Sequence, residues 1–256
     1  MTNKSFLSIP ASFIPSKYQR FILMKEIIAN EIKRRDYTKP IKILDVGCGN
    51  GYFLKYLNDE LGQNHTFIFH GTDIFKFKKI FKFKFVKSNI DGNFPYDSNT
   101  FDFIVAGEII EHLVNTDGFI KEIRRTLKKN GHTIISTPNL SSYFNRFLLL
   151  FGFQPYNSEV STVESGFGLD IVYKVLGRPK IGNKTAGHLK MFTYRAFVDF
   201  VLYYKFKIKA YYPVYFSTFR KDNTRIGLIK VFFYIDKFIS NRFPSLATGM
   251  IFHLTK

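Results

Sequence analysis

Asp45 closes the apolar run IKILDV, and glycines follow at positions 47, 49 and 51 before helical spacing resumes in YFLKYL. A short apolar run, a glycine-rich turn and a helix are the parts of a nucleotide site, because small residues let a ligand approach backbone N–H groups at a helix N-terminus. The spacing is not that of a phosphate binder. A dinucleotide fingerprint needs glycine where Tyr52 stands, and a phosphate-binding loop needs Lys and Ser or Thr where Tyr52 and Phe53 stand. A second constellation comes later in the chain. Glu111 and His112 follow the apolar run FDFIVAGE, and His188 opens the stretch HLKMFT. These three are the candidates for a general base, with His188 preferred because an imidazole titrates near neutral pH and this one follows a segment placed to cap a pocket.

The carboxylate of Asp45 discriminates among ligands for the glycine turn. It would repel a pyrophosphate and attract an ammonium group, so the ligand carries positive charge there. S-adenosylmethionine has an α-ammonium and a sulfonium and no phosphate. With ILDVGCGNG as first motif, the chain resembles the class I S-adenosylmethionine-dependent methyltransferases. The blocks FDFIVAGEIIEHL, FIKEIRRTLKKNGHTIISTPN and GHLKMFT are similar to those of the ubiquinone-biosynthesis O-methyltransferase group and related small-molecule methyltransferases.

The resemblance implies a Rossmann-like seven-stranded α/β sheet of order 3-2-1-4-5-7-6, its last strand antiparallel, with helices on both faces and cap insertions. It implies S-adenosylmethionine as cofactor. Asp45, Gly47, Cys48, Gly49 and Gly51 would frame the methionine part, Asp73 the ribose hydroxyls with Ile74 beside it, and Asn89 and Ile90 the adenine. The family usually has an acid where Asn89 stands. Gly107 would line the sulfonium side, and Glu108 would position the methionine part or orient its own loop.

The elements that must carry these residues are legible in outline. Residues 16–36 show helical spacing, with Phe21, Met24, Ile28 and Ile32 on one face. IKILDV and HTFIFHGTD read as buried strands, residues 81–86 as a third strand within a Phe/Lys alternation, and TFDFIVAGE as a fourth. NTDGFIKEIRRTLKKNG reads as a helix that Gly131 ends, HTIISTPN as a fifth strand, TYRAFVDFVLYY as a helix, KIKAYY as a strand and GMIFHLTK as the closing strand. Residues 1–15 form an arm and 16–256 one domain, with irregular inserts at about 140–187 and 213–245.

Composition bounds the partners. The chain has 38 Lys and Arg against 20 Asp and Glu, a formal net charge of +18 that favours anionic partners or reflects a compositional bias. The single cysteine excludes an internal disulfide and a Cys-based zinc cluster, and no metal site is expected. No signal peptide or spanning run is seen, so the expectation is a cytoplasmic protein, soluble or peripheral at a membrane. The segments 141–155 and 226–244 interleave Phe and Leu with basic residues, suiting either a cap over the active site or an anionic membrane surface. The expected function is methyl transfer, at oxygen, to a small-molecule or lipid-like acceptor. An RNA-modifying enzyme is the alternative that +18 would serve, though no RNA-binding motif is recognised. A non-catalytic binder would show a damaged cofactor turn, and Asp45, the three glycines and Asp73 are all present.

Overall fold

The run IKILDV becomes an interior strand of a seven-stranded sheet in the computed structural model, which describes residues 16–35, 37–175, 187–215 and 226–256. The strands are β1 (Ile41–Val46), β2 (Phe67–Asp73), β3 (Lys84–Lys87), β4 (Phe101–Gly107), β5 (Leu127–Pro138), β6 (Lys207–Val214) and β7 (Gly249–Thr255). Their order is β3-β2-β1-β4-β5-β7-β6, with β7 antiparallel to both its neighbours, and this is the expected sheet. All other pairs are parallel. β1, β2, β4 and β5 therefore deliver their carboxyl ends to one edge, where ligands of open α/β sheets bind.

Alternation along β1 explains how the helices are held. Ile41 and Ile43 face one side, packing with Met24 and Ile28 of α1 (Ser16–Lys33) and Leu54 and Leu57 of α2 (Tyr52–Leu61). Leu44 and Val46 face the other, packing with Phe119 and Ile123 of α3 (Thr116–Thr126) and Phe197 and Val201 of α6 (Tyr194–Tyr203). Each such side chain removed from water contributes about 1.5–3 kcal/mol, so the sheet is fixed from both faces.

Several boundaries differ from the sequence expectation. Gly131 does not end a helix: α3 stops at Thr126, because Leu127 turns to extended backbone and pairs with Phe101. The chain then bulges, with Asn130 at φ 61°, before ladder pairing resumes at His132. The third strand is Lys84–Lys87 rather than 81–86, and the residues between β2 and it form no ladder. The first insert is not wholly irregular. It holds α4 (Tyr143–Leu150) and α5 (Asp170–Val175), where Phe144 and Leu148 pack on Leu169 as a small core of their own. The second contains α7 (Ile226–Arg242). The arm 1–15 and the insert portions 176–186 and 216–225 lie outside the described residues.

Candidate active site

The glycine turn sits at the carboxyl edge, between β1 and α2. Its backbone is tied to β2 by Gly47 and Cys48 N–H groups, which donate to Thr72 O at 2.8 and 3.1 Å. Gly47 (φ 75°) and Gly51 (φ 90°) are left-handed, and a Cβ there would stand 2.8 Å from Ile109 Cδ1 and 2.4 Å from Phe83 Cε1. Both conformation and space demand glycine at these two positions. Gly49 has nothing within 4 Å of where its Cβ would be, so the turn is open on that side.

Two acids line this opening. Asp73 accepts from Gly49 N–H and Phe75 N–H, both at 3.0 Å, one on each carboxylate oxygen. Those bonds hold the carboxylate at the end of β2 and leave its remaining lone pairs for a ligand's hydroxyls. Asp45 is buried, and burial, with the neighbouring Asp73 charge, pushes its carboxyl up to about 8. An acid in that state is stabilised by a cation brought close to it, and an anionic phosphate would oppose both carboxyls. The turn thus fits the cationic methionine end of S-adenosylmethionine.

Other expected cofactor residues occupy varied positions. Cys48 contributes backbone only, since its thiol packs into the core, 2.7 Å from where a Cβ on Gly71 would lie. Burial pushes that thiol up, so it is no nucleophile. Ile74 is exposed, next to Asp73. Asn89 is exposed, with Oδ1 accepting from Asp91 N–H at 3.1 Å, and the Ile90 side chain is buried in the core, leaving its backbone to meet a base. Gly107 is exposed at the end of β4.

Glu108 turns the chain out of β4 with φ 55°, a left-handed conformation unfavourable for a side chain and held by three contacts. Its N–H donates to Ser136 O at 3.0 Å, Ser136 Oγ donates to its Oε1 at 2.9 Å, and Arg20 of α1 stands 3.5 Å from its Oε2. The 3-10 turn Ile110–His112 follows, on which Glu111 is fully buried and His112 partly so.

His188 arrives here from far along the chain. Leu189 and Lys190 N–H groups donate to Glu111 O at 2.7 and 3.0 Å, pinning the 187–190 loop against the turn. The rings of His112 and His188 lie 4.8 Å apart. His112 Nδ1 is 3.1 Å from Gly187 O, and His188 Nδ1 is 2.8 Å from Asn157 O. A carbonyl only accepts, so each Nδ1 carries the hydrogen and each Nε2 is the nitrogen left to face a ligand. Burial holds the His112 imidazole below its ordinary range, favouring the neutral form. Neither carboxyl oxygen of Glu111 has a well-formed hydrogen bond, although the Thr137 hydroxyl lies near. Burial, reinforced by Glu108, pushes that carboxyl well above the carboxylate range.

Glu111, His112 and His188 each offer a ligand atom within 4.8 Å of the others. Two imidazoles, each oriented by a backbone carbonyl, and one carboxyl form a donor set for a divalent cation as readily as a proton relay. The sequence reading expected no metal and saw three rival bases; the fold makes them one cluster. Sequence reasoning also missed Arg20, Ser136, Asn157 and Glu159. Glu159 Oε2 accepts from Gly187 and His188 N–H at 2.7 and 3.2 Å, fastening the first insert to the histidine loop. Ser136 lay in the quoted STPN block, but the other three gave no local signal, because their partners are distant in the chain.

Comparison with known proteins agrees with this geometry. The family model described as "Methyltransferase domain" matches residues 17–176. The ubiquinone biosynthesis O-methyltransferase of Pelagibacter ubique is 35% identical over 137 residues, which are 48% of this chain and 55% of that protein. The protein of the same name from Rickettsia typhi is 32% identical over 44% of this chain and 48% of its own length. The matches thus span about half the length of these curated relatives. A crystal structure of an S-adenosylmethionine-dependent methyltransferase from Mesorhizobium loti superposes with a TM-score of 0.52 and 12% identity, covering 94% of this chain and 98% of that one, which supports the fold.

Proposed function

The chain belongs to the methyltransferase-domain family, and from that membership we propose that it transfers a methyl group from S-adenosylmethionine to an oxygen of a small, lipid-like acceptor. The observation that carries the oxygen assignment is the Glu111–His112–His188 cluster, which offers two imidazole lone pairs and a buried carboxyl beside the cofactor turn. Ile109, two residues before Glu111, is the neighbour that a Cβ on Gly47 would strike, so cluster and turn adjoin.

Asp45 and the glycine turn would hold the methionine part, Asp73 the ribose and the backbone at Ile90 the base. Bound there, S-adenosylmethionine supplies an electrophilic methyl carbon. The chain's task is alignment and exclusion of water, since an in-line displacement needs the nucleophile within about 3–3.5 Å. A hydroxyl is a poor nucleophile until its proton is removed or its oxygen is polarised. His188 Nε2 would take that proton. The same donors would alternatively hold a divalent cation, whose charge would acidify the hydroxyl. The hydrogen bonds from both Nδ1 atoms to backbone carbonyls favour the cation, because they are the outer contacts that orient metal-binding histidines.

Calorimetric titration of S-adenosylhomocysteine into wild type and Asp73→Ala tests the cofactor assignment. Loss of the two hydroxyl bonds should weaken binding by about 1.5–3 kcal/mol; an unchanged affinity removes Asp73 from the site. Methyl transfer to catechol- or quinol-like acceptors, assayed with chelator and then with magnesium, manganese or zinc restored, separates cation from proton relay.

A further inference from the structure

We propose that Glu159 is a positioning residue for methyl transfer: from the first insert it holds the peptide between Gly187 and His188, and through that peptide it places both imidazoles of the cluster. The consequence for turnover rests on the proposed methyltransferase reading, whereas the placement itself does not depend on the acceptor. Glu159 Oε2 accepts from two successive N–H groups, Gly187 at 2.7 Å and His188 at 3.2 Å. Successive N–H groups that converge on one oxygen form an anion-binding concavity, and Gly187 adopts the left-handed φ of 78° that bends the backbone into one. Here the anion is supplied by the chain itself.

The second of these N–H groups is shared with the site. The His188 N–H and the Gly187 C=O belong to the same amide; the N–H meets Glu159, and the C=O lies 3.1 Å from His112 Nδ1. A carboxylate at the N–H end polarises the amide and makes its carbonyl a stronger acceptor. The charge of Glu159 is thus felt at the His112 ring without touching it. His188 is held from the same segment, its Nδ1 lying 2.8 Å from the backbone oxygen of Asn157, two residues before Glu159. An acceptor on one ring nitrogen decides which nitrogen carries the hydrogen, so residues 157–159 set the tautomers of both rings. The ligand atoms that lie within 4.8 Å of one another belong to Glu111, His112 and His188, so Glu159 acts on the cluster through backbone.

The segment is braced from the sheet in turn. Asn145 Nδ2 donates to Asn139 O, just beyond β5, at 3.1 Å, and Tyr156 N–H donates to Asn145 Oδ1 at 2.9 Å. Asn145 is buried, and Ser158 N–H donates to Pro155 O at 3.0 Å. Hydrogen bonds that lock the supporting residues hold a site's geometry more closely than an unsupported loop does. Mere fastening of insert to loop would need neither the shared amide nor its alignment with Nδ1. Because the same insert is expected to cap the acceptor pocket, its seating and the setting of the rings are coupled.

Long-range nitrogen–proton NMR spectra of the isotope-labelled full chain at mildly alkaline pH provide the test, since they read each imidazole's tautomer with no acceptor present. Wild type should show the Nδ1–H form at His112 and His188. Glu159→Ala should admit the Nε2–H form at His112 and lower kcat with catechol by about 10–100-fold, with KM for S-adenosylmethionine unchanged. Glu159→Gln, which keeps an acceptor oxygen, should return the Nδ1–H form and most of kcat. An Nε2–H form in wild type, or an unchanged His112 tautomer in Glu159→Ala, overturns the proposal. So does a wild-type kcat alongside mixed tautomers, or a Glu159→Gln variant no better than Glu159→Ala at an equal thermal midpoint. Failure of wild type to bind S-adenosylhomocysteine would instead overturn the methyltransferase reading, and the spectra would still decide whether Glu159 places the rings.

Discussion

Two buried glutamates stand at opposite ends of this sheet, each beside two histidines, and they have opposite fates. Glu31, on α1, meets His132 of β5 and His253 of β7; Glu111 meets His112 and His188 beyond the carboxyl end of β4. Burial opposes the charge of both. For Glu31 it is overcome by a hydrogen bond from Lys209 at 2.6 Å, and the carboxyl is held below its ordinary range. Arg34 adds a second bond at 2.6 Å. Glu111 has no such partner and is pushed the other way. A buried acid with its charge answered ties elements together. A buried acid with no Lys or Arg hydrogen-bonded to it costs stability, and it is kept where a ligand will meet it.

The largest effect should come from Glu111→Gln, which keeps shape and removes the ionisable oxygen. Turnover should fall about a hundredfold or more while urea denaturation shows stability unchanged or raised; a large loss of stability would make Glu111 structural and erase the contrast. Glu31→Ala should show the converse. We expect a loss of about 2 kcal/mol in the same denaturation experiment, from the charged hydrogen bonds to a partly exposed Lys209 and an exposed Arg34, with cofactor affinity unaltered.

Asp45 sharpens the comparison as a third buried acid, raised like Glu111 but facing a cationic ligand. Its folded-state pKa of about 8 lies above the ordinary carboxyl value, so the folded chain holds a proton that the unfolded chain releases. Stability from this group is therefore present at low pH and declines between about 4 and 8. Binding of S-adenosylmethionine near pH 7 should expel that proton. Calorimetry in buffers of differing ionisation heat should register up to one proton released, and Asp45→Asn should abolish the dependence.

A more gradual effect, spread over several pH units, concerns the other pair of histidines. Burial holds His132 down to about 3 and His253 to about 4, with His132 Nδ1 2.9 Å from His253 Nε2. Here the unfolded chain binds more protons once pH falls below about 6.5. Stability should accordingly decline from pH 6.5 toward 4, by at most about 1.4 kcal/mol per pH unit for each histidine. Thermal midpoints of wild type and His253→Gln across that range check the slope, and identical slopes would remove His253 as its source.

Local pattern determined much of this protein. The β1 run, the glycine spacing and Asp45 set the strand, the turn and the sign of the ligand charge, because left-handed backbone, burial and charge repulsion act over a few residues. The helix end at Thr126 and the third strand were misplaced, since ladder pairing with Phe101 and with β2 outweighed the local signals of Gly131 and the Phe/Lys alternation. Only tertiary structure decided that Glu111, His112 and His188 are one cluster and that Glu31 is not part of it. Both groups are a glutamate and two histidines that no single stretch of chain contains. What separates them is which cations and carbonyls the fold carries to each carboxyl, and Lys209 lies 178 residues from Glu31.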